Sequence, residues 1–199
     1  MCFHSKQTKK ALEIENRFNA KFENKKGFEP TNHYNGFSFP KTPIITNENT
    51  SKIQMVNWGL LPNWASADFD KNNTLNARIE SLTQKKSFKD ITQNRCIVLV
   101  NGFYEWQHVG CQKIKYEIGI NDELFAFAGL YDSNNESKTY TILTTEAKGI
   151  MIDIHNTKLR MPFALKTDMD FENWLSGGIV NPFYDFTTSP KLYKQHLLF

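Results

Sequence analysis

With 199 residues, 40% of them hydrophobic and 23% charged, and a mean hydropathy of -0.52, the chain has the make-up of a globular protein and the length of a single domain spanning residues 1–199. Collagen-like and disordered classes are excluded, and no uncharged apolar run approaches the roughly 20 residues of a membrane-spanning helix, so a cytoplasmic or nuclear protein is expected. The formal charge of +3 neither demands nor opposes a nucleic-acid partner, but residues 1–27 carry seven basic side chains against three acidic ones, which predicts an exposed basic face near the N-terminus.

In chain order, Thr8 is placed to cap a helix from Lys9 to Asn24, with Ala11, Ile14, Phe18 and Phe22 on one stripe and Gly27 as its stop. Gly27 to Thr50 is dominated by Pro, Asn, Thr and Phe and reads as surface loop with a short strand at Pro43 to Thr46. Strand-like runs follow at Ile53 to Leu61, Cys96 to Trp106, Lys113 to Ile120, Leu124 to Tyr131 and Thr139 to Thr145. Asn121 and Asp122 predict a hairpin between the runs on either side of them, and Ser133 to Ser137 predicts a second. Helical stretches are expected near Leu75 to Leu82, Ser87 to Thr92, Glu146 to His155 and Asp168 to Leu175. Consecutive hairpins imply antiparallel pairing, so the expected fold is α+β, a curved antiparallel sheet or open barrel with helices at its edges.

Cys2 follows the initiator methionine, and a small side chain there permits removal of Met1 and exposure of an N-terminal cysteine. Such a 1,2-aminothiol has an amine of pKa about 7.7–8.0 and a thiol of about 8.5, both partly deprotonated near neutrality. It attacks an aldehyde through nitrogen and closes through sulfur to a thiazolidine ring; a cysteine at position 2 by chance is the competing reading. Glu105 lies in Asn101-Gly102-Phe103-Tyr104-Glu105-Trp106 at the end of an apolar run, where a carboxylate needs a task or a partner. A raised pKa would suit a general acid or base, and a structural salt bridge competes with it. His155 precedes Arg160-Met161-Pro162 and, taken alone, fits a hydrogen-bonded structural histidine. Trp58 and Trp64 flank a turn, and Asn76-Ala77-Arg78 follows a polar loop; rings beside guanidinium groups are what single-stranded nucleic acid needs, although core packing explains the tryptophans equally. A zinc site of Cys2, His4 and His155 lacks a standard spacing, and Cys2, Cys96 and Cys111 without a Cys-x-x-Cys pair predict no disulfide framework.

Taken together, Met1-Cys2, the segment Trp58 to Trp64, Asn76-Ala77-Arg78, Arg95-Cys96 leading into residues 101–106, Phe125 to Leu130, Thr144-Thr145, and His155 with Arg160-Met161-Pro162 resemble the SRAP family of SOS response-associated peptidase domains. The resemblance implies a DNA-damage response protein of curved antiparallel β-structure with flanking helices. It further implies a positively charged groove for single-stranded DNA and covalent capture of abasic sites through the N-terminal cysteine. On the matching positions, Cys2 would be the nucleophile, Asn76 would orient it, and Glu105 and His155 would manage protons. Arg78 and Arg160 would hold phosphates, with Trp58, Trp106 and Thr144 at the DNA cleft. No metal or organic cofactor is implied, and a monomer is expected, with peptidase action confined to self-processing. A thiol peptidase using Cys2, Glu105 and His155 on other proteins, and a non-covalent single-stranded DNA binding module, are the alternatives. Two departures stand out: Phe3 and His4 replace the family's Gly-Arg, and four residues rather than one separate His155 from Arg160.

Overall fold

Alternation of side chains governs most of this chain, and the computed structural model, which describes residues 2–66, 68–134 and 137–191, turns it into a strand-dominated fold. Strand β1 (His4–Gln7) precedes helix α1 (Ala11–Phe18) and the short β2 (Lys21–Phe22). Then come β3 (Thr31–Asn35), β4 (Lys41–Thr46), β5 (Asn49–Trp58), β6 (Asn76–Arg78), β7 (Arg95–Val100), β8 (Gly102–Val109), β9 (Gln112–Gly119), β10 (Phe125–Ser133) and β11 (Lys138–Glu146). Helix α2 (Met151–Ile154), strands β12 (Arg160–Pro162) and β13 (Ala164–Leu165), helix α3 (Asp168–Leu175) and β14 (Thr187–Lys191) complete the order.

One antiparallel sheet runs β14-β9-β8-β1-β3, and a larger one runs β12-β11-β10-β7-β4-β5-β2, with β13 on β10 and β6 on β11. Strand β11 also pairs in parallel with β5, Thr139 opposite Asn57 and Tyr140 opposite Trp58, so β5, β4, β7, β10 and β11 close into a barrel. The α+β expectation therefore holds, with a closed barrel in place of an open one. On β7, Cys96, Val98 and Val100 enter a core shared with Phe103 and Ile118 of the smaller sheet, whereas Ile97 and Leu99 enter a second core under α1 and α3. Burial on both faces is why residues 97–100 read as an unbroken apolar run. Phe127 meets Phe103 and Phe125 edge-on at 5.6 Å in each case, and a buried Phe stabilises the fold by about 1.5–3 kcal/mol over an exposed one.

Several expectations fail for identifiable reasons. The predicted helix over residues 9–24 ends at Phe18, because Asn19 adopts φ 47 and bonds back to the Glu15 carbonyl; Lys10 rather than Thr8 caps it, and Phe22 belongs to β2. In residues 27–50 the expected short strand forms within β4, but the segment is not otherwise surface loop: β3 pairs with β1, and β4 lies between β5 and β7 and sends Ile44 and Ile45 into the two cores. The predicted helix over 75–82 is β6, held parallel to β11, followed by a 3-10 turn at Ile79–Gln84; 87–92 holds a 3-10 turn at Lys89–Ile91, and 146–155 only α2. Helix α3 matches its prediction.

The run Cys96 to Trp106 is two strands of different sheets, broken at buried Asn101. Likewise the Asn121-Asp122 turn joins no hairpin: β9 pairs with β8 and β14, and β10 with β7, β11 and β13. Both turn residues are left-handed, at φ 49 and 61, a local chemistry shared by hairpins and by sheet changes. The two crossings are tied together, Asn101 Nδ2 donating to Asp122 Oδ1 at 2.6 Å and to Thr8 Oγ1 at 2.8 Å. The second predicted hairpin forms between β10 and β11, though Asn135 and Glu136 lie outside the described residues.

The basic N-terminal face is largely neutralised within the fold. Lys6 pairs with Glu117, Lys9 with Asp122, Arg17 with Asp168, and Lys21 and Lys25 with Glu15. Among the described residues no helix is long and apolar enough to cross a membrane.

Candidate active site

Alternation on β8 sends Phe103 and Glu105 toward the core between the sheets and Tyr104 and Trp106 to the opposite face. Cys2 lies just before β1 in that same core, wholly buried, with Trp58, Leu75 and Ile154 in its cluster. Its thiol donates to the His4 carbonyl at 3.8 Å. Burial, reinforced by the Glu105 carboxylate, pushes the Cys2 thiol far above its ordinary range.

His155 caps the C-terminal end of α2, which turns it toward β8. Its Nδ1 lies 2.8 Å from the Arg160 carbonyl and accepts from the Arg160 N–H at 3.1 Å, while Nε2 is 3.9 Å from Glu105 Oε2. Glu105 is 6% exposed and His155 7%. Burial raises the Glu105 carboxyl to about 7 and lowers the imidazole to about 4. Near neutral pH the histidine is therefore neutral and the carboxyl is divided between its two forms. A neutral imidazole can accept a proton, and a carboxyl divided between its two forms can give or take one, which is what acid–base chemistry near neutral pH needs.

Asn76 stands at the start of β6, beside Leu75 of the Cys2 cluster. Among the described residues neither polar atom of its buried amide has a hydrogen-bond partner, which costs about 1–3 kcal/mol per group and leaves both able to bind a polar group.

The residues expected at a DNA cleft divide into two sets. Trp58 is 0% exposed, stacks on Tyr140 and donates from Nε1 to the Leu75 carbonyl at 2.8 Å, so its indole is core and offers no surface to a base. Thr144 is equally buried, and Arg160 is 8% exposed with its guanidinium held by Glu80 at 2.9 and 2.8 Å and by the Thr144 carbonyl at 2.7 Å. All three face the interior of the fold in this structure, Trp58 and Thr144 fully buried and Arg160 ion-paired with Glu80. Arg78, opposite Thr144 on the β6–β11 ladder, is exposed, and Trp106 is half-buried.

Sequence reasoning missed the groups around Trp106. Lys115 lies opposite Trp106 in the β8–β9 register, its Nζ 5.4 Å from that ring and 4.2 Å from Tyr104. His4 meets Trp106 edge-on at 4.9 Å, and its Nδ1 is 2.8 Å from His33 Nε2. Burial, with His33 and Lys115 nearby, lowers His4 to about 4. The spacing of Lys113 and Lys115 is a local signal for a basic face there, but only the register says which ring it covers. Among the described residues no group of three or more His, Cys, Asp and Glu is arranged to hold a metal ion.

Residues 1–187 match the SOS response associated peptidase (SRAP) family. The abasic site processing protein YoqW of Bacillus subtilis is 37% identical over 149 residues, covering 71% of this chain and 65% of its own, so the chain spans just under two thirds of that relative's length. The abasic site processing protein HMCES of Gallus gallus is 33% identical over 150 residues, 60% of this chain and 44% of its own. A crystal structure of a Bacteroides thetaiotaomicron protein superposes with a TM-score of 0.86 at 33% identity, covering 95% of this chain and 91% of that one. A Bordetella bronchiseptica protein shares the fold at 20% identity, with a TM-score of 0.80 over 96% of this chain and 100% of the other.

Proposed function

The chain belongs to the SOS response associated peptidase family, and from that premise we propose that it processes abasic sites in single-stranded DNA by forming a thiazolidine cross-link through Cys2 after loss of Met1. The observation that carries this reading is the buried Glu105–His155 pair, 3.9 Å apart, beside the core that holds Cys2. A ring-opened abasic sugar presents an aldehyde at C1′. The free amine of Cys2 adds to it, forming a C–N bond, and the resulting hydroxyl leaves as water to give an iminium. Sulfur then adds to the same carbon. The amine and the thiol each give up one proton, and both leave in that water. Glu105, with its carboxyl at about 7, protonates the departing hydroxyl and its carboxylate takes back the thiol proton, ending unchanged. Neutral His155 assists opening of the sugar ring, and the unpartnered Asn76 amide orients the reacting groups.

Arg78 and Trp106 serve the DNA, the former through phosphate and the latter through stacking beside Lys115. Arg78→Ala should reduce the magnitude of the log K against log salt slope by roughly 0.7, the single-strand value for one phosphate. Arg160→Ala should leave that slope alone, since Glu80 already holds its guanidinium.

The test is incubation of the mature protein with DNA bearing one abasic site, followed by denaturing electrophoresis. A shifted band that Cys2→Ala and a blocking N-terminal extension both abolish is expected; cross-linking by protein that retains Met1 overturns the reading. A thiol peptidase would cleave peptides without that band, and a non-covalent binding module would shift DNA only under native conditions.

A further inference from the structure

Glu105 and His155 reach each other from elements far apart in the chain, one on β8 and the other in the turn that follows α2. Residues 156–159 of that turn are exposed, so core packing does not fix them. Its backbone bonds run within the turn, from the Lys158 and Leu159 N–H groups to the His155 carbonyl, or to its flanks at Ala147 and Arg160. Besides the approach of the His155 ring to Glu105, a second side chain links the turn to β8. Asn156 Oδ1 accepts from the His108 N–H at 3.1 Å, and its Nδ2 donates to the His108 carbonyl at 2.8 Å. The amide thereby supplies the donor–acceptor pair that a neighbouring strand would offer. It does so where β1, paired with β8 only at Phe103 and Gly102, no longer covers that edge.

We propose that Asn156 is a positioning residue, whose paired hydrogen bonds to His108 hold the 155–159 turn on β8 and so set the approach of the His155 ring to Glu105. The inference rests on the proposed acid–base role of that pair. Its geometry is that of a short lever: Asn156 directly follows His155, and His108 lies three residues beyond Glu105 on the same strand. The charges that act on His155 come from Glu105 and His108 of β8, Arg160 of β12 and the chain's amino terminus. Freeing the turn lets water reach the ring, which removes the burial that keeps it neutral.

The experiment has two arms. In the first, without DNA, the His155 ring is titrated by NMR in the wild type, Asn156→Ala and Asn156→Gln. Asn156→Ala should move the midpoint from about 4 toward the ordinary 6.5, and Asn156→Gln, which keeps both amide groups one methylene further out, should recover part of the shift. In the second, single-turnover cross-linking at saturating abasic DNA is followed from about pH 5.5 to 8.5, with binding to an uncleavable abasic analogue measured alongside. Asn156→Ala should slow cross-linking roughly ten- to hundredfold with a displaced pH profile and unchanged affinity. A wild-type His155 midpoint in Asn156→Ala overturns the inference, as does a loss of rate only in proportion to lost affinity. A wild-type protein that forms no cross-link refutes the proposed function, and the DNA-free titration then still decides whether Asn156 positions His155.

Discussion

Glu15, in the corner where α1 leads into β2, is 3% exposed, and Glu105 on β8 is 6% exposed, yet the two carboxyls are shifted in opposite directions. Glu15 accepts from the Phe22 N–H at 3.1 Å and faces Lys25 at 2.8 Å and Lys21 at 3.6 Å. The hydrogen bond from Lys25 is the largest influence, and it holds the Glu15 carboxyl below its usual range. Glu105 faces an imidazole that is itself kept neutral by burial, and its own burial raises it to about 7. Shielding from water sets the cost of a charge, but the facing group decides whether the charge persists. In the α1–β2 corner the carboxylate stitches a short loop together; on β8 it becomes a group that exchanges protons near neutral pH.

The strongest way to break this contrast is through the reaction. Glu105→Gln keeps shape and hydrogen bonding but cannot exchange a proton, so cross-link formation and reversal should both fall about 10²- to 10⁴-fold with DNA affinity preserved. Glu15→Gln should leave those rates at the wild-type value. Single-turnover kinetics decides, and wild-type rates in Glu105→Gln would make the carboxyl structural.

Stability against pH gives the next largest effect. Because the folded value of Glu105 is raised, its contribution is fully present below 4.5 and is lost as pH rises through about 7. The change from 4.5 to about 7 corresponds to about 3 kcal/mol. Urea unfolding from acid to alkaline pH should show stability rising with pH more steeply in Glu105→Gln, which lacks this falling contribution, than in the wild type. His155 acts with the opposite sign: its folded value is lowered, so its contribution is present above 6.5 and lost as pH falls through about 4. Between 4.5 and 6.5 the two slopes oppose each other, and the pair should leave stability nearly flat there.

Glu15 should produce a smaller effect on the acid side only. Its contribution is present above 4.5 and is lost as pH falls through its lowered value, so Glu15→Gln should be less stable at neutral pH and should show a weaker acid limb. The smallest effect, and the sharpest for the comparison, belongs to Lys25→Ala. Removing the main cation should raise the Glu15 titration midpoint, read by carboxyl NMR, toward the behaviour of Glu105. An unmoved midpoint would transfer the stabilisation to the Phe22 N–H and Lys21.

Local rules carried the reading of this chain as far as local physics extends. The strand-like composition of residues 113–120, 124–131 and 139–145 and the helical pattern of 168–175 depend on neighbours in sequence, so β9, β10, β11 and α3 were legible. The motif order that resembles a known family singled out Cys2, Glu105 and His155 before any geometry was known. Pairing and burial were not legible in the same way. The left-handed Asn121-Asp122 turn has the same backbone chemistry whether its strands pair or part, and only the sheet order separates β9 from β10. Whether an indole, a hydroxyl or a guanidinium faces solvent depends on residues distant in sequence: Tyr140 and Leu75 enclose Trp58, and Glu80 with Thr144 holds Arg160. The same holds for Lys115 over Trp106 and for Asn156 on His108, contacts set by strand register and by a turn docking on an open edge. Secondary structure follows from the few residues within reach of one peptide, whereas the electrostatics of Glu105 follow from what three-dimensional packing excludes, which is water.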